Sequence, residues 1–299
     1  MEILVTGSAG QLGSDLRPLL VNGGCGVHAF PSSALDITDR ERVFEAVGSV
    51  RPDVVINCAA YTKVDLAEKE RDRAFAVNRD GVKNLAEAAN NAGSALIHIS
   101  TDFVFDGRKS TPYLEIDGTN PLSAYGESKL EGEREAIGAL DRHIIIRASW
   151  LYGLEGNNFV KTILRLAGER EALKVVYDQA GTPTWTRDLA GAITKIIDDL
   201  KAGKADYGVY NYSNEGVASW YDFAEAIVEE AKVAGVKLKC SSIEPILTSE
   251  YPTPAKRPAY SVLDKKKIKS AFGVKIPHWR RSLKEMMKEL CRRNGGKDA

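Results

Sequence analysis

The 299-residue chain has few of the residues that build metal or disulfide scaffolds. Its four cysteines, Cys25, Cys58, Cys240 and Cys291, lie far apart with no CxxC pair, which argues against a disulfide framework and a zinc site. Reduced thiols in cytosol are the simplest account. The four histidines, His28, His98, His143 and His278, fall mostly on strand-like stretches without partners at ligand spacing and read as structural, so no metal is expected. No apolar run approaches the roughly 20 residues that a membrane span needs. Met1 to Val5 enters a strand without a charged leader, so a cytoplasmic protein with no membrane partner is expected. Net charge is absent too: 41 Lys plus Arg balance 41 Asp plus Glu, leaving no sequence-wide field for nucleic acid. What the chain does have is length enough for one large α/β domain carrying a smaller appendage.

Glu2 to Thr6 reads as a short apolar strand, followed by Gly7-Ser8-Ala9-Gly10-Gln11-Leu12-Gly13 and a helical pattern through Leu16, Leu19 and Leu20. Strand, glycine turn and helix form the context of a dinucleotide phosphate loop. Gly7 permits the tight turn, Gly10 the close approach of a pyrophosphate, and Gly13 close packing of helix on strand. The helix start then offers free N–H groups and a partial positive charge to the anion. The second strand, Val27 to Phe30, runs into Pro31-Ser32-Ser33, where the acid that binds a ribose diol in NAD-preferring folds is missing. Small hydroxyls leave room for a 2′-phosphate, although no Arg stands beside them, so the cofactor reading leans to NADPH over NADH. Asp36, followed by Ile37, could accept from an adenine amino group or support a cap; Thr38 or Asp39 starts the next helix.

Further strands are expected at Val54 to Cys58, Ala95 to Ser100 and His143 to Ser149, apolar enough to be buried on both faces. One long helix is expected from Leu66 to Asn91. The β-α alternation implies an α/β protein with a Rossmann-type doubly wound parallel sheet. Beyond Gly153 the rhythm loosens into helices at 158–166, 186–200 and 220–231, strands at 173–177 and 208–212, and a proline-rich loop from Glu250 to Tyr260. A last helix, near Arg280 to Leu290, precedes a polar tail, 291–299, expected to be flexible. The expected division is 1–150 plus about 186–204 for the cofactor, and about 151–185 plus 205–290 as a smaller α/β substrate domain.

Between the fourth and fifth strands lies Tyr125-Gly126-Glu127-Ser128-Lys129. A phenol and an ammonium four residues apart share one helix face and can act on one small molecule. Thr101, at the end of the fourth strand, can bring a hydroxyl to a substrate carbonyl.

These residues, with the glycine turn, resemble the extended short-chain dehydrogenase/reductase superfamily. More narrowly, Gly10 to Gly13, Asn57 to Asp65, Ser100 to Gly107, Arg147 to Gly153, Asp178 to Thr184 and Lys256-Arg257-Pro258 resemble the dTDP-4-dehydrorhamnose reductase family, in the family's order over residues 1 to about 290. The resemblance implies reduction of the 4-keto group of dTDP-4-dehydro-β-L-rhamnose by NAD(P)H, the last step of dTDP-L-rhamnose synthesis. Tyr125 would protonate the nascent alkoxide, Lys129 would lower the phenol's pKa and hold the nicotinamide ribose, and Thr101 would polarise the ketone. Cofactor-binding candidates are Gly7, Gly10, Gln11, Leu12, Gly13, Asp36, Ile37, Ala59, Ala60, Tyr61, Asn78, Ser100, Tyr125 and Lys129. Candidates for a dTDP-4-keto-6-deoxy sugar are Thr101, Asp102, Phe103, Tyr125, Trp150, Asn158, Gln179 and Arg257, the last as a bidentate partner for the pyrophosphate.

Two departures stand out. Phe103 replaces a frequent family tyrosine, which removes one hydroxyl contact to the sugar. Arg187 falls where some members carry an acid of a metal-dependent dimer contact, so neither that metal nor that dimer is expected, and monomer and homodimer both stay open. The alternatives are a reductase or epimerase of another nucleotide-linked 4-keto sugar, or a non-catalytic subunit like the regulatory subunit of methionine adenosyltransferase.

Overall fold

A computed structural model describes residues 1–204 and 206–295. Five Val- and Ile-rich stretches form parallel strands β1 (Glu2–Thr6), β2 (Gly26–Phe30), β3 (Val54–Asn57), β4 (Ala95–Thr101) and β5 (His143–Ala148), joined by a sixth at Gly208–Tyr212. Their order across the sheet is β2, β1, β3, β4, β5, then Gly208–Tyr212. The chain therefore reverses its direction of growth between β1 and β3, and the carboxyl ends of those two strands flank the crevice where doubly wound sheets bind ligands.

Alternation along each strand feeds two cores. Ile3, Val5, Val54, Ile56, Ile97, Ile99, Ile144 and Ile146 face helix α1 (Gln11–Asn22) and the helix Thr186–Lys201. Leu4, Val55, Leu96 and Ile145 face α2 (Arg40–Val50) and the helix Gly81–Ala92. Each fully buried branched side chain contributes about 1.5–3 kcal/mol, which fixes both register and face. A third core lies in the later half: Phe159–Glu169, Trp220–Val233 and Trp279–Gly295 enclose Val160, Ile163, Phe223, Ile227, Trp279 and Met286. A parallel pair, Ala172–Val176 with Ser242–Ile246, covers it.

Two expectations are corrected. The segment read as one helix from Leu66 to Asn91 is Val64–Ala67, Arg71–Phe75, a π-helical turn Ala76–Asp80, and Gly81–Ala92. The break at 68–70 frees the Glu70 carboxylate to accept from the Tyr61 hydroxyl at 3.0 Å, and the π turn carries Asn78 into the interior. The last helix, expected near Arg280 to Leu290, runs from Trp279 on to Gly295, and Leu290 and Cys291 pack on the third core. Arg293 also pairs with Glu155 at 2.8 Å and with Glu289 at 3.3 Å. Residues 296–299 lie outside the described part.

Candidate active site

Gly7 sits at the end of β1 with φ +62°, and a Cβ there would lie 2.5 Å from the Ala59 nitrogen. Only glycine lets the turn pass so close to the β3 exit. A Cβ on Gly13 would lie 2.6 Å from the Gly7 carbonyl oxygen, so glycine there seats α1 against the turn. Gly10 is the N-cap of α1 and offers no side chain to its first N–H groups, nor is there an acid in the first turn. Those donors face the crevice uncancelled, a cradle suited to a pyrophosphate.

The loop after β3 is held from beneath. Asn57 Oδ1 accepts from the Ala59 N–H (3.0 Å) and the Thr6 hydroxyl (2.7 Å). Asn78, almost fully buried, accepts from the Tyr61 N–H at 2.9 Å and donates to the Tyr61 carbonyl and the Ser128 hydroxyl, each at 3.0 Å. Both ends of its amide are thus spent within the protein, positioning Ala59 to Tyr61. Asp36 accepts from the Thr38 N–H and hydroxyl, closing its own turn. Ile37 is buried against Gly81, and Asp39 is the N-cap of α2.

β4 delivers Ser100, Thr101, Asp102 and Phe103. Opposite them the helix Ala124–Ala139 starts at its N-cap Ser123, which accepts from the Gly126 N–H at 3.2 Å, while Glu68 accepts from the Ala124 N–H. This puts Tyr125 in the first turn, with the Thr101 hydroxyl beside its phenol and donating to Asp102 Oδ1 at 3.1 Å, and with the Phe103 ring packed edge-on at 5.6 Å. Gly126 and Gly132 let the helix approach: a Cβ on either would overlap the Phe103 or the Asn78 carbonyl oxygen. Lys129, one turn on and fully buried, donates to the Ile99 carbonyl at 2.6 Å, with Nζ 3.4 Å from His98 Nε2. Ser100 and Arg147 both hydrogen-bond Glu133 on the same helix.

Electrostatics depart from expectation at the phenol. Burial pushes Tyr125 up to about 12, helped by the charge of Asp102 and opposed by the Thr101 hydrogen bond. Lys129 does not pull it down, because its Nζ is turned to the sheet. Burial brings Lys129 down to about 8, against the opposing pull of Glu133 and Cys58. Burial likewise raises Asp102 to about 6 against the nearby hydroxyls of Ser261 and Thr101, of which Thr101 donates to Oδ1 at 3.1 Å, and its Oδ2 is buried with no partner among the described residues.

Past β5, Trp150 adopts φ +46° and stacks on Trp220 at 3.5 Å. Trp220 Nε1 donates to Gln179 Oε1 at 3.2 Å, and Gln179 Nε2 donates to Thr248 at 3.0 Å. Asn158 caps its helix and donates to Gln11 Oε1 at 3.0 Å, joining the glycine turn to the later half. Arg257 holds Asp65 with Nη1 and Nη2, at 3.1 and 2.8 Å, which spends the fork on a carboxylate of its own chain. The guanidinium of Arg187 lies between Glu289 (2.9 Å) and Asp15 (3.9 Å).

The structure thus brings together the glycine turn, Ala59 to Tyr61, Thr101 to Phe103, Tyr125 and Lys129. Asn78 and Ile37 go to supporting positions, and Gln179 and Asn158 are tied to neighbours. Sequence reading missed the buried set Thr6, Asn57, His98, Glu133 and Arg147. Its signal was a polar residue inside an apolar strand, as in Ala95-Leu96-Ile97-His98-Ile99.

A glycine-cradled helix start facing a Thr–Tyr–Lys cluster across the sheet's carboxyl edge defines an oxidoreductase of the extended short-chain dehydrogenase/reductase type. The family model described as RmlD substrate binding domain matches residues 1–292. The dTDP-4-dehydrorhamnose reductase of Aggregatibacter actinomycetemcomitans is 48% identical over 95% of this chain and 98% of its own length; that of Escherichia coli K12 is 41% identical over 97% and 98%. The chain belongs to the dTDP-4-dehydrorhamnose reductase family. Among solved structures, the family member from Clostridium acetobutylicum superimposes with a TM-score of 0.91 at 42% identity, covering 97% of this chain and 99% of that one. The Bacillus anthracis enzyme, solved with NADP, gives 0.90 at 39% over 96% and 99%. A UDP-glucose 4-epimerase of Thermus thermophilus, 21% identical with a TM-score of 0.80 over 98% of this chain and 99% of that one, shares the fold.

Proposed function

We infer that the protein reduces the 4-keto group of dTDP-4-dehydro-β-L-rhamnose to give dTDP-L-rhamnose, the last step in making that nucleotide sugar. The observation that carries this is the convergence of Thr101, Tyr125 and Lys129 beside the glycine cradle. A bound nicotinamide dinucleotide supplies the hydride. Thr101 holds the ketone oxygen against the phenol, and Tyr125 passes its proton to that oxygen as charge develops. A phenol raised to about 12 keeps its proton until then. Gly7 to Gly13 would hold the pyrophosphate of the cofactor, Ala59 to Tyr61 would border its nicotinamide end, and Lys129 would turn from the Ile99 carbonyl to orient the ribose. Ser32 and Ser33 are exposed after β2, and Asp36 is spent on Thr38, which favours NADPH over NADH.

On the sugar side, Asp102 and Trp150 line the pocket, with Asn158 and Gln179 toward the nucleotide. Arg257 would exchange Asp65 for the diphosphate. The two sheet-side cores and the separate third core support a division into 1–150 with 186–204 for cofactor and 151–185 with 205–290 for nucleotide sugar. Among the described residues no helix is long and apolar enough to cross a membrane, in keeping with a cytoplasmic site of action.

The deciding assay follows oxidation of NADPH and NADH with enzymatically made dTDP-4-keto-6-deoxy sugars and identifies the product. Formation of dTDP-L-rhamnose with faster NADPH turnover is the expected result. Stoichiometric NAD retained through purification, with no NADPH consumed on any 4-keto sugar, would point to an epimerase instead.

A further inference from the structure

A buried hydrogen-bond chain crosses beneath the site from β1 to the helix of Lys129. The Thr6 hydroxyl donates to Asn57 Oδ1 at 2.7 Å, Asn57 Nδ2 lies 3.1 Å from His98 Nδ1, and His98 Nε2 lies 3.4 Å from Lys129 Nζ. Its direction is set by one group that can only donate, the backbone N–H of Ala59, which reaches Asn57 Oδ1 at 3.0 Å. That contact fixes the amide so that Nδ2 faces the imidazole, and an amide nitrogen can only donate. His98 Nδ1 must therefore accept, and the neutral ring carries its proton on Nε2. This proton points at Lys129 Nζ. An ammonium has no lone pair to receive it, whereas an amine can accept from Nε2–H while still donating to the Ile99 carbonyl at 2.6 Å.

We propose that His98 is a positioning residue for Lys129: locked by Asn57 as the Nε2–H tautomer, it aims a donor at Nζ and favours the uncharged amine. The inference rests on the reductase reading for its catalytic meaning and on hydrogen-bond direction for its structure. The other titratable groups acting on Nζ are the Cys58 thiol just past β3 and Glu133 on its own helix. Burial drives Cys58 to about 12, so it stays a neutral thiol. Glu133 is shared with Ser100 and bidentate Arg147. His98 is held well below its ordinary value by burial and by Lys129, so it stays uncharged. By burial itself Lys129 is brought down to about 8. It can take up or release a proton during turnover, where a lysine at its ordinary value of about 10.4 would be fixed as ammonium.

Two measurements test this. In protein with 15N-labelled histidine, His98 should show a protonated Nε2 and an unprotonated Nδ1 across neutral pH. An Nδ1–H ring or an imidazolium overturns the proposal whatever the substrate proves to be. In His98→Gln, whose carbonyl can turn to Nζ and accept, Lys129 should titrate about one pH unit higher. The limb of the kcat/KM pH profile that reports Lys129 should move up with it. A folded variant whose Lys129 titration, read by its 13Cε shift, coincides with wild type refutes the role. Absence of wild-type activity on every 4-keto sugar, with the variant's Lys129 titration shifted as expected, refutes the reductase reading and upholds the assignment of His98.

Discussion

Replacing Gly126 by alanine puts one methyl group between the two elements that make the site. In an unobstructed helix interior the change is worth about 1 kcal/mol in favour of alanine. Here the new Cβ would overlap the Phe103 carbonyl oxygen and stand 3.1 Å from Pro121 Cβ. Restoring van der Waals separation needs a shift of roughly 1 Å between the helix and the loop after β4. Overpacking of this kind costs about 1–3 kcal/mol, so the net loss runs from near zero to about 2 kcal/mol, or a few degrees in melting temperature for a chain of this size. The larger effect falls on turnover, since the shift separates Tyr125 from Thr101. A 1 Å misplacement of reacting groups can cost about a hundredfold in rate. Thermal unfolding and steady-state NADPH oxidation should be run beside Gly138→Ala, in the same helix with no atom within 4 Å of its Cβ. The control should be neutral or slightly stabilised with unchanged kcat. A Gly126→Ala enzyme with raised stability and wild-type kcat would refute the idea that close approach at Gly126 sets the phenol's position.

Tyr125→Phe should lose about 10²–10⁴ in turnover while isothermal titration still shows NADP binding; wild-type turnover would mean the proton comes from elsewhere. Arg147→Met leaves Glu133, with its side chain 2% exposed, without its cation and should lower stability by about 3–5 kcal/mol in denaturant unfolding. Adding Glu133→Leu should recover most of that loss, and equal stabilities for single and double variants would argue that the pair is not coupled. Asp102 is raised to about 6 from an unfolded value of about 3.9. Its contribution to stability is therefore fully present below pH 4 and is lost as pH rises to about 6. Asp102→Asn should gain on wild type across that window and run parallel above it, as followed by melting temperature against pH.

The alternation of Ile3, Leu4 and Val5, and its repeats in β3 to β5, made the sheet and its two cores readable, because burial on both faces demands unbroken apolar runs. The glycine turn was readable for a related reason, since Gly7 and Gly13 occupy places where a Cβ cannot fit. Tyr125 and Lys129 were legible as a spacing. Their electrostatics were not, because burial dominates and the groups acting on Lys129, Glu133 and Cys58, lie 4 and 71 positions away, with His98, 31 positions away, in contact with Nζ. Arg257 was read as a free fork, but spacing cannot show that Asp65, 192 positions away, lies within its reach. The single helix expected over 66–91 failed for local reasons: the chain breaks at 68–70, and beyond it apolar periodicity continues while the backbone gains one residue in the turn at 76–80.

That π-helical turn is a length defect retained at the foundation of the site. A turn closed by one bond more than the α-helical step behaves as a single inserted residue. Deleting one residue from Ala76–Asp80 would restore ordinary helical geometry and leave the chain easily joined. The turns on either side would stay in register, and the residues inside Ala76–Asp80 would be re-aimed. Asn78 would swing away from Tyr61 and Ser128, and the loop over the cofactor cradle would lose its tether. A shortened chain must therefore anchor Ala59 to Tyr61 by other means, so the tether of that loop depends on the one residue an α-helix would not need.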